Sequence, residues 1–419
     1  MKILFIHPNF PGQFKHLAKE FAKYATNEVV FACRFPNRSN ITNVRKVVAK
    51  PIDASKRNLR GHRYLNRFNT EVYMGQSMWR ALHQLKKEGF VPDVIYAHSG
   101  WGDSLFVKDV FPDSSYIAYM EFYYHAFGAD KYFFPTDKIN VNEVAHTRIK
   151  NSNHLLNLAA CDWAISPTRW QASLHPKDFH YKFSVIHEGI DTSLLKPSKR
   201  KEDLVMPDGR IIGHGEELIT YITRNCEPYR GFEQAMQAIS LLHKSRPNAK
   251  FVIVGDDRVG YGAATPGEKT YKDMVLEKIN LNFSNILFYD KLKYSDYIKL
   301  LQKSTVHIYL TVPFVLSWSM LESMSAGCAV VASDTKPVIE VIEDGKNGML
   351  ADFFAPKEIA EKVEYLLNNP QLRQKISQNA RETIKSKYSL KKIMPQYISL
   401  IKSVAKKLTN SKIQKKLII

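Results

Sequence analysis

Two arginines and one glutamate carry the chemistry that this sequence offers most directly. Arg224 and Arg230 flank the loop RNCEPYRG, which follows an apolar run, Leu218–Ile222, that reads as a buried strand. A guanidinium grips anionic oxygens through charge-assisted, often bidentate hydrogen bonds worth roughly 1.5–3 kcal/mol each. Gly231, directly after Arg230, lets the next helix begin close to a ligand. Glu322 lies in YLTVPFVLSWSMLESMSAGCAVVASD, Tyr309–Asp334, which reads as a strand, a loop broken by Pro313, a helix opening near Ser317 and stopped at Gly327, and a second buried strand. A helix N-terminus at the carboxyl end of a parallel strand offers unspent N–H groups and the positive end of the helix dipole, so it suits a diphosphate. The apolar neighbours Met320, Leu321, Met324 and Ala326 predict that Glu322 is semi-buried and bound to a hydroxyl, rather than a solvated helix residue.

Other candidates stand alone. Gly12 opens a helix in HPNFPGQF and permits close approach of a sugar or phosphate, but the three glycines of a dinucleotide fingerprint are missing. His98 in YAHSGWGDS, and His125 beside Glu121 in MEFYYHAFGAD, are placed to hydrogen-bond a sugar hydroxyl or a leaving phosphate, or to serve the loops themselves. The aromatics around His125 offer stacking faces for a sugar or lipid, or a loop core. HExxH, GxSxG and P-loop patterns are absent, and the adjacent pair Asp256–Asp257 reads as capping or loop residues, so no metal is expected. The widely spaced Cys33, Cys161, Cys226 and Cys328 read as buried free thiols of a reducing cytoplasm.

The elements that must position these groups alternate. Strands are expected at Lys2–Ile6, Glu28–Cys33, Val94–Ala97, Tyr116–Tyr119, Trp163–Ser166 and Ser184–His187, with helices at Gly12–Tyr24, Asn69–Glu88 and Asn140–Ala160. MKILFI is read as a first strand and not as a secretory signal, because His7, Pro8 and Asn9 end its apolar run. A polar stretch containing KPSKRKED and a Pro207–Asp208–Gly209 turn then predicts a linker at 198–217 between domains 1–197 and 218–387. A second alternating series follows, ending in a helix and basic tail at 388–419. Such alternation predicts an α/β protein of two doubly wound, largely parallel sheets facing a central cleft.

Net charge is +19, from 60 basic and 41 acidic residues, which implies an anionic partner. The excess gathers after Lys391, where lysines accompany Ile393, Tyr397, Ile398, Ile401, Val404 and Leu408 near helical spacing and no acidic residue occurs. That pattern suits an anionic membrane surface, or equally a docked helix with a lysine face, better than nucleic acid. No apolar run is long enough to span a bilayer.

Taken together, HPNFPGQF, AISPTRWQASLHP, SVIHEGIDTSLLKP, RNCEPYRGFEQAMQAI, FVIVGDD, LESMSAGCAVVASD and VIEDGKNGMLADFF, in this order, resemble the retaining glycosyltransferases of family 4, which have the GT-B fold. Cys161–Pro176, Val185–Pro197 and the EFYYH loop are similar to a bacterial subgroup that makes surface polysaccharide. The resemblance implies transfer of a sugar from a nucleotide diphosphate sugar to a glycan or lipid-linked acceptor, with retention and without a metal or other cofactor. It implies that Arg224 and Arg230 bind the diphosphate, Glu322 the ribose, and Gly12 lies near the donor, with His98 matching an active-site histidine. One position departs: Phe314 stands where relatives carry the acid that contacts the donor sugar. A cytoplasmic protein, peripheral at the inner face of the membrane, is the implied location. A GT-B epimerase or hydrolase and a non-enzymatic polyanion-binding protein are the competing readings.

Overall fold

The structure, a computed structural model, describes residues 1–52, 61–198, 202–258, 260–261, 269–279 and 283–416, without the side chains of residue 283 and of 406–416. Two compact units result, one formed by Met1–Gly189 with Leu390–Ile419, the other by Ile190–Ser389.

The first unit holds seven parallel strands. They are β1 (Lys2–Ile6), β2 (Glu28–Cys33), β3 (Val44–Val48), β4 (Val94–His98), β5 (Ser115–Tyr119), β6 (Trp163–Ser166) and β7 (Phe183–Val185), in the order β3-β2-β1-β4-β5-β6-β7. Sheets covered on both faces read as continuous apolar runs, and KILFI and EVVFAC are such runs. Alternate residues part to opposite faces. Ile3 and Phe5 pack with α1 (Lys15–Ala22), while Leu4 and Ile6 pack with Met78, Leu82 and Leu85 of α2 (Asn66–Lys87).

The helix expected over Asn140–Ala160 is two helices, α3 (Val141–Ile149) and α4 (Ser152–Ala160). The break has a local cause. Asn151 leaves helical geometry to clamp the backbone of Tyr124, accepting from its N–H at 2.9 Å and donating to its carbonyl at 2.8 Å.

The second unit repeats the plan with β8 (Leu218–Asn225), β9 (Lys250–Asp256), β10 (Ile286–Tyr289), β11 (Val306–Tyr309), β12 (Ala329–Ser333) and β13 (Met349–Ala351), ordered β10-β9-β8-β11-β12-β13 and parallel throughout. Helices α5 (Phe232–Ser245), α6 (Tyr271–Lys278), α7 (Tyr294–Lys303), α8 (Trp318–Ala326), α9 (Pro356–Asn368) and α10 (Pro370–Thr383) follow or connect these strands.

Two expectations about domain limits are corrected. The units divide after Gly189, and the segment 198–217 is no linker: within it Leu204–Val205 pairs antiparallel with Ile211–Ile212, burying Leu204, Met206 and Ile212 in the second core. Of the polar composition, Pro207–Asp208–Gly209 forms the turn of that hairpin, and KPSKRKED precedes its first strand. Residues 199–201 of the expected linker lie outside the described residues. The helix expected at the C-terminal end is α11 (Leu390–Lys416), and it returns to the first unit, where Ile393, Tyr397, Ile401 and Val404 join the core. The apolar stripe is thus docked; Leu408 lies among the residues without described side chains.

In both sheets the strand order reverses once, between β1 and β4 and between β8 and β11. Open parallel sheets bind ligands outside the carboxyl ends of strands at such a reversal.

Candidate active site

In the second unit Arg224 lies at the carboxyl end of β8 and Arg230 in the turn before α5. Sequence reasoning sent both side chains to one crevice, but they differ in setting. Arg224 is exposed, whereas Arg230 is buried. The Arg230 Nη1 donates to the Thr311 hydroxyl at 2.8 Å, the Val315 carbonyl at 3.2 Å and the Tyr309 hydroxyl at 3.5 Å. Tyr221 on β8 donates its hydroxyl to the Arg230 carbonyl at 2.7 Å, fixing the backbone as well. Gly231 is needed where it stands, with φ at +64° and a Cβ that would lie 2.7 Å from Leu310.

Ser317 caps α8, its hydroxyl accepting from the Ser319 N–H at 3.3 Å. Its own N–H donates to the Tyr309 hydroxyl at 3.0 Å, so one tyrosine joins the helix start to Arg230. Glu322 is half-buried as expected, and its hydroxyl partners are Tyr294 at 3.0 Å and Tyr297 at 2.7 Å, both on α7. Phe314 is buried edge-on against Tyr229 and Tyr261, with centroids at 5.4 and 4.9 Å. Arg230 lies 5.8 Å from the Tyr261 ring.

Glu227, within RNCEPYRG, is a group that the sequence reading passed over. Fully buried, it accepts from the N–H groups of Gly260 at 2.8 Å and Tyr261 at 2.7 Å. Burial pushes its carboxyl up, opposed by those two N–H groups and by Arg230 and Arg224. Asp256, read as a capping or loop residue, is instead the last residue of β9 and pairs with Arg258 at 2.7 Å, while Asp257, just beyond the strand, pairs with Lys272 at 3.0 Å. No cluster of three potential metal ligands occurs among the described residues.

In the first unit the groups beside the reversal are His7, directly after β1, and His98, the last residue of β4. His98, expected either to hydrogen-bond a ligand or to serve its loop, is buried, its Nδ1 accepting from the Gly100 N–H at 3.0 Å. Its Nε2 lies 3.4 Å from Oε2 of Glu121, within ion-pair reach but not aligned as a hydrogen bond. Glu121 is better connected than sequence neighbours suggested. Gln13 donates to its Oε1 at 2.8 Å, and Gln171 donates to its main-chain carbonyl at 2.6 Å. Burial favours the protonated acid, but His98 and Gln13 outweigh it and hold the Glu121 carboxyl below its ordinary value.

His125 does not join Glu121. It is exposed, and its Nε2 meets the Leu174 carbonyl at 2.7 Å. Gly12 has φ at +51°, and the space a Cβ would need is taken by the His7 ring at 2.3 Å, so this glycine serves a side chain of its own chain. His7 and Gln13 were both missed. The only sequence signal for His7 was that it ends the first apolar run.

Two family models match the chain, one over each unit: glycosyl transferase family 4 group over residues 25–195 and glycosyl transferases group 1 over 210–383. The chain belongs to these glycosyltransferases. It is 31% identical over 173 residues to an uncharacterized glycosyltransferase of Methanocaldococcus jannaschii, covering 40% of this chain and 41% of that one. It is 28% identical over 151 residues to a putative glycosyltransferase of Bacillus subtilis, covering 36% of each. The matched part spans about two fifths of the length of these curated relatives. A crystal structure of an Anabaena protein in complex with UDP-glucose superposes with TM-score 0.67 at 15% identity, covering 96% of this chain and 100% of that one. At that identity the fold alone is shared, and it is the GT-B fold.

Proposed function

We propose that this protein transfers a sugar from a nucleotide diphosphate sugar to a glycan or lipid-linked acceptor, with retention of anomeric configuration, in the synthesis of a surface polysaccharide. The observation that carries this reading is Arg230. Its guanidinium is buried at the strand-order reversal and held through Nη1, while its Nε and Nη2 have no acceptor among the described residues. A buried cation with unspent donors beside the start of α8 suits a diphosphate. Arg224, exposed at the end of the neighbouring strand, supplies a second cation.

In this scheme the bond from the anomeric carbon to the diphosphate oxygen breaks, and a bond to the acceptor oxygen forms on the same face. The acceptor hydroxyl proton passes to the leaving phosphate. Arg230, Arg224 and the first N–H groups of α8 stabilise the charge that develops on that leaving group, the largest single contribution available here. The reaction uses no metal or other cofactor in this reading, and turnover should survive a chelator. Glu322, already oriented by two tyrosine hydroxyls, is the group that meets the ribose in this reading. Phe314 with Tyr229 and Tyr261 offers a ring face in place of the relatives' acid.

The first unit holds the acceptor. No helix among the described residues is long and apolar enough to cross a membrane, and the apolar stripe of α11 is spent on the first core. Attachment to the inner face of the cytoplasmic membrane therefore rests on the lysines of the last residues, and sedimentation with anionic vesicles tests it.

A thermal-shift screen of nucleotide sugars, followed by acceptor-dependent transfer with NMR of the product's anomeric configuration, tests the whole reading. Stabilisation by a nucleotide sugar and a retained configuration are expected. Free sugar released without any acceptor-dependent product would favour a hydrolase, and no response to any nucleotide sugar would favour a polyanion-binding protein.

A further inference from the structure

We propose that Glu121, and not His98, is the group of the first unit that touches the acceptor, its carboxylate accepting a hydrogen bond from a sugar hydroxyl, while His98, Gln13 and His7 are positioning residues. This deepens the transferase reading above and rests on it only for the identity of the ligand.

The hydrogen-bond directions follow from a single contact. Because the Gln13 amide nitrogen donates to Oε1 of Glu121 at 2.8 Å, its amide oxygen must point the other way, where it meets Nε2 of His7. An amide oxygen only accepts, so His7 carries its proton on Nε2. Nδ1 then accepts from the Asn9 N–H at 3.0 Å; the Asn9 carbonyl, 2.8 Å from the same atom, would be a partner only for the charged ring. Burial, and then the neighbouring His98, push His7 down to about 3, which keeps the ring neutral.

His98 is fixed by the same logic. Its Nδ1 accepts from Gly100, so the proton sits on Nε2, the atom 3.4 Å from Oε2 of Glu121. His7 therefore reaches the carboxylate through Gln13, while the protonated Nε2 of His98 stands beside it within ion-pair reach, though not aligned as a hydrogen bond.

Exposure decides which member meets a ligand. The His98 side chain is 2% exposed and the Glu121 side chain 21%. The histidine lies beneath and the carboxylate lies on the accessible side. A carboxylate only accepts hydrogen bonds and repels phosphate, so the class of ligand it selects is a neutral sugar hydroxyl and not a leaving diphosphate. With its main-chain carbonyl held by Gln171 and one oxygen by Gln13, Glu121 is preorganised for that contact.

The test uses the full chain and the variants Glu121→Gln, His98→Asn and Gln13→Leu. With histidine labelled by ¹⁵N, long-range proton–nitrogen correlations report ring tautomers. The wild type should show Nε2–H forms for His7 and His98, and Glu121→Gln should move the His98 Nε2 signal. An unmoved signal, or an Nδ1–H form of His98, overturns the relay whatever the enzyme does.

For activity, the donor probes are UDP-glucose and UDP-N-acetylglucosamine, and the acceptor probes a panel of methyl glycosides. Glu121→Gln should lower kcat/KM for the acceptor at least tenfold, while the donor-induced thermal shift stays within a degree of wild type. His98→Asn and Gln13→Leu should lower kcat with acceptor KM nearly constant. Loss of the donor-induced shift in Glu121→Gln, or unchanged acceptor kinetics, overturns the assignment. A wild type that no nucleotide sugar stabilises sinks the transferase reading instead, and the tautomer experiment still decides the relay.

Discussion

In the first unit the strand-order reversal lies between β1 and β4, and the groups beside it are rings and a carboxylate tied into a relay, His7, Gln13, Glu121 and His98. In the second it lies between β8 and β11, and the groups are a buried guanidinium, an exposed one and a helix start, joined through the Tyr309 hydroxyl. The same topology thus offers an acceptor of hydrogen bonds in one unit and donors with positive charge in the other. The transfer proposed above, of a sugar from a diphosphate to a hydroxyl, calls for one of each.

The comparison breaks most sharply at Arg230. Arg230→Ala removes the donor to Thr311, Val315 and Tyr309 as well as the proposed diphosphate contact. It should destabilise the second unit by about 3 kcal/mol and cost roughly two orders of magnitude in turnover. Arg224→Ala, at an exposed position, should weaken the donor-induced thermal shift with the unliganded Tm unchanged; equal loss of stability in both variants would erase the distinction drawn here.

Acid separates the units next. Burial lowers His7 to about 3 and His175 to about 4, and holds His154 well below 6.5, all in the first unit; in the second, His307 is lowered to about 3. The folded values lie below the unfolded one, so the unfolded chain takes up protons first as pH falls, and stability present above about 6.5 is lost toward the folded values. Each such group costs about 2 kcal/mol by pH 5. The first unit, with three such groups named against one, should loosen first. Trp318 alone reports on the second unit, the other tryptophans being in the first, so Trp318→Phe fluorescence against wild type resolves the order.

Smaller again is Gly12→Ala. Its methyl would meet the His7 ring at 2.3 Å in a backbone with φ at +51°, which should cost about 1–3 kcal/mol and shift the His7 ring signals. The smallest effect expected is from truncation after residue 405, which should leave Tm unchanged, because the core contacts described for α11 end near Val404. A Tm loss of several degrees would show that later residues also pack.

What was legible in the sequence follows the range of the interactions. Strands such as KILFI and FVIVG, the Ser317 cap and the Gly327 stop are written in adjacent residues, and the structure has them. The semi-buried state of Glu322 was also readable from its neighbours, although its tyrosine partners, 25 and 28 residues away, were not. Gln13 and Glu121 are 108 residues apart, and no local pattern links a glutamine after β1 to a glutamate after β5. Adjacency misled in the same place: His125 follows Glu121 closely in sequence but turns to the Leu174 carbonyl. The polar stretch at 198–217 misled because a hairpin turn and a linker share a composition.

The chain enters the second unit at Ile190 and leaves it after Ser389, and these two residues bridge each other, with the Ile190 N–H donating to the Tyr388 carbonyl at 2.8 Å. The second unit is therefore an insertion, continuous in sequence, whereas the first must wait for Tyr397, Ile401 and Val404 to fill its core. On a ribosome the unit that emerges first should be completed last, so a nascent chain halted before α11 would carry a finished second unit beside an open first one.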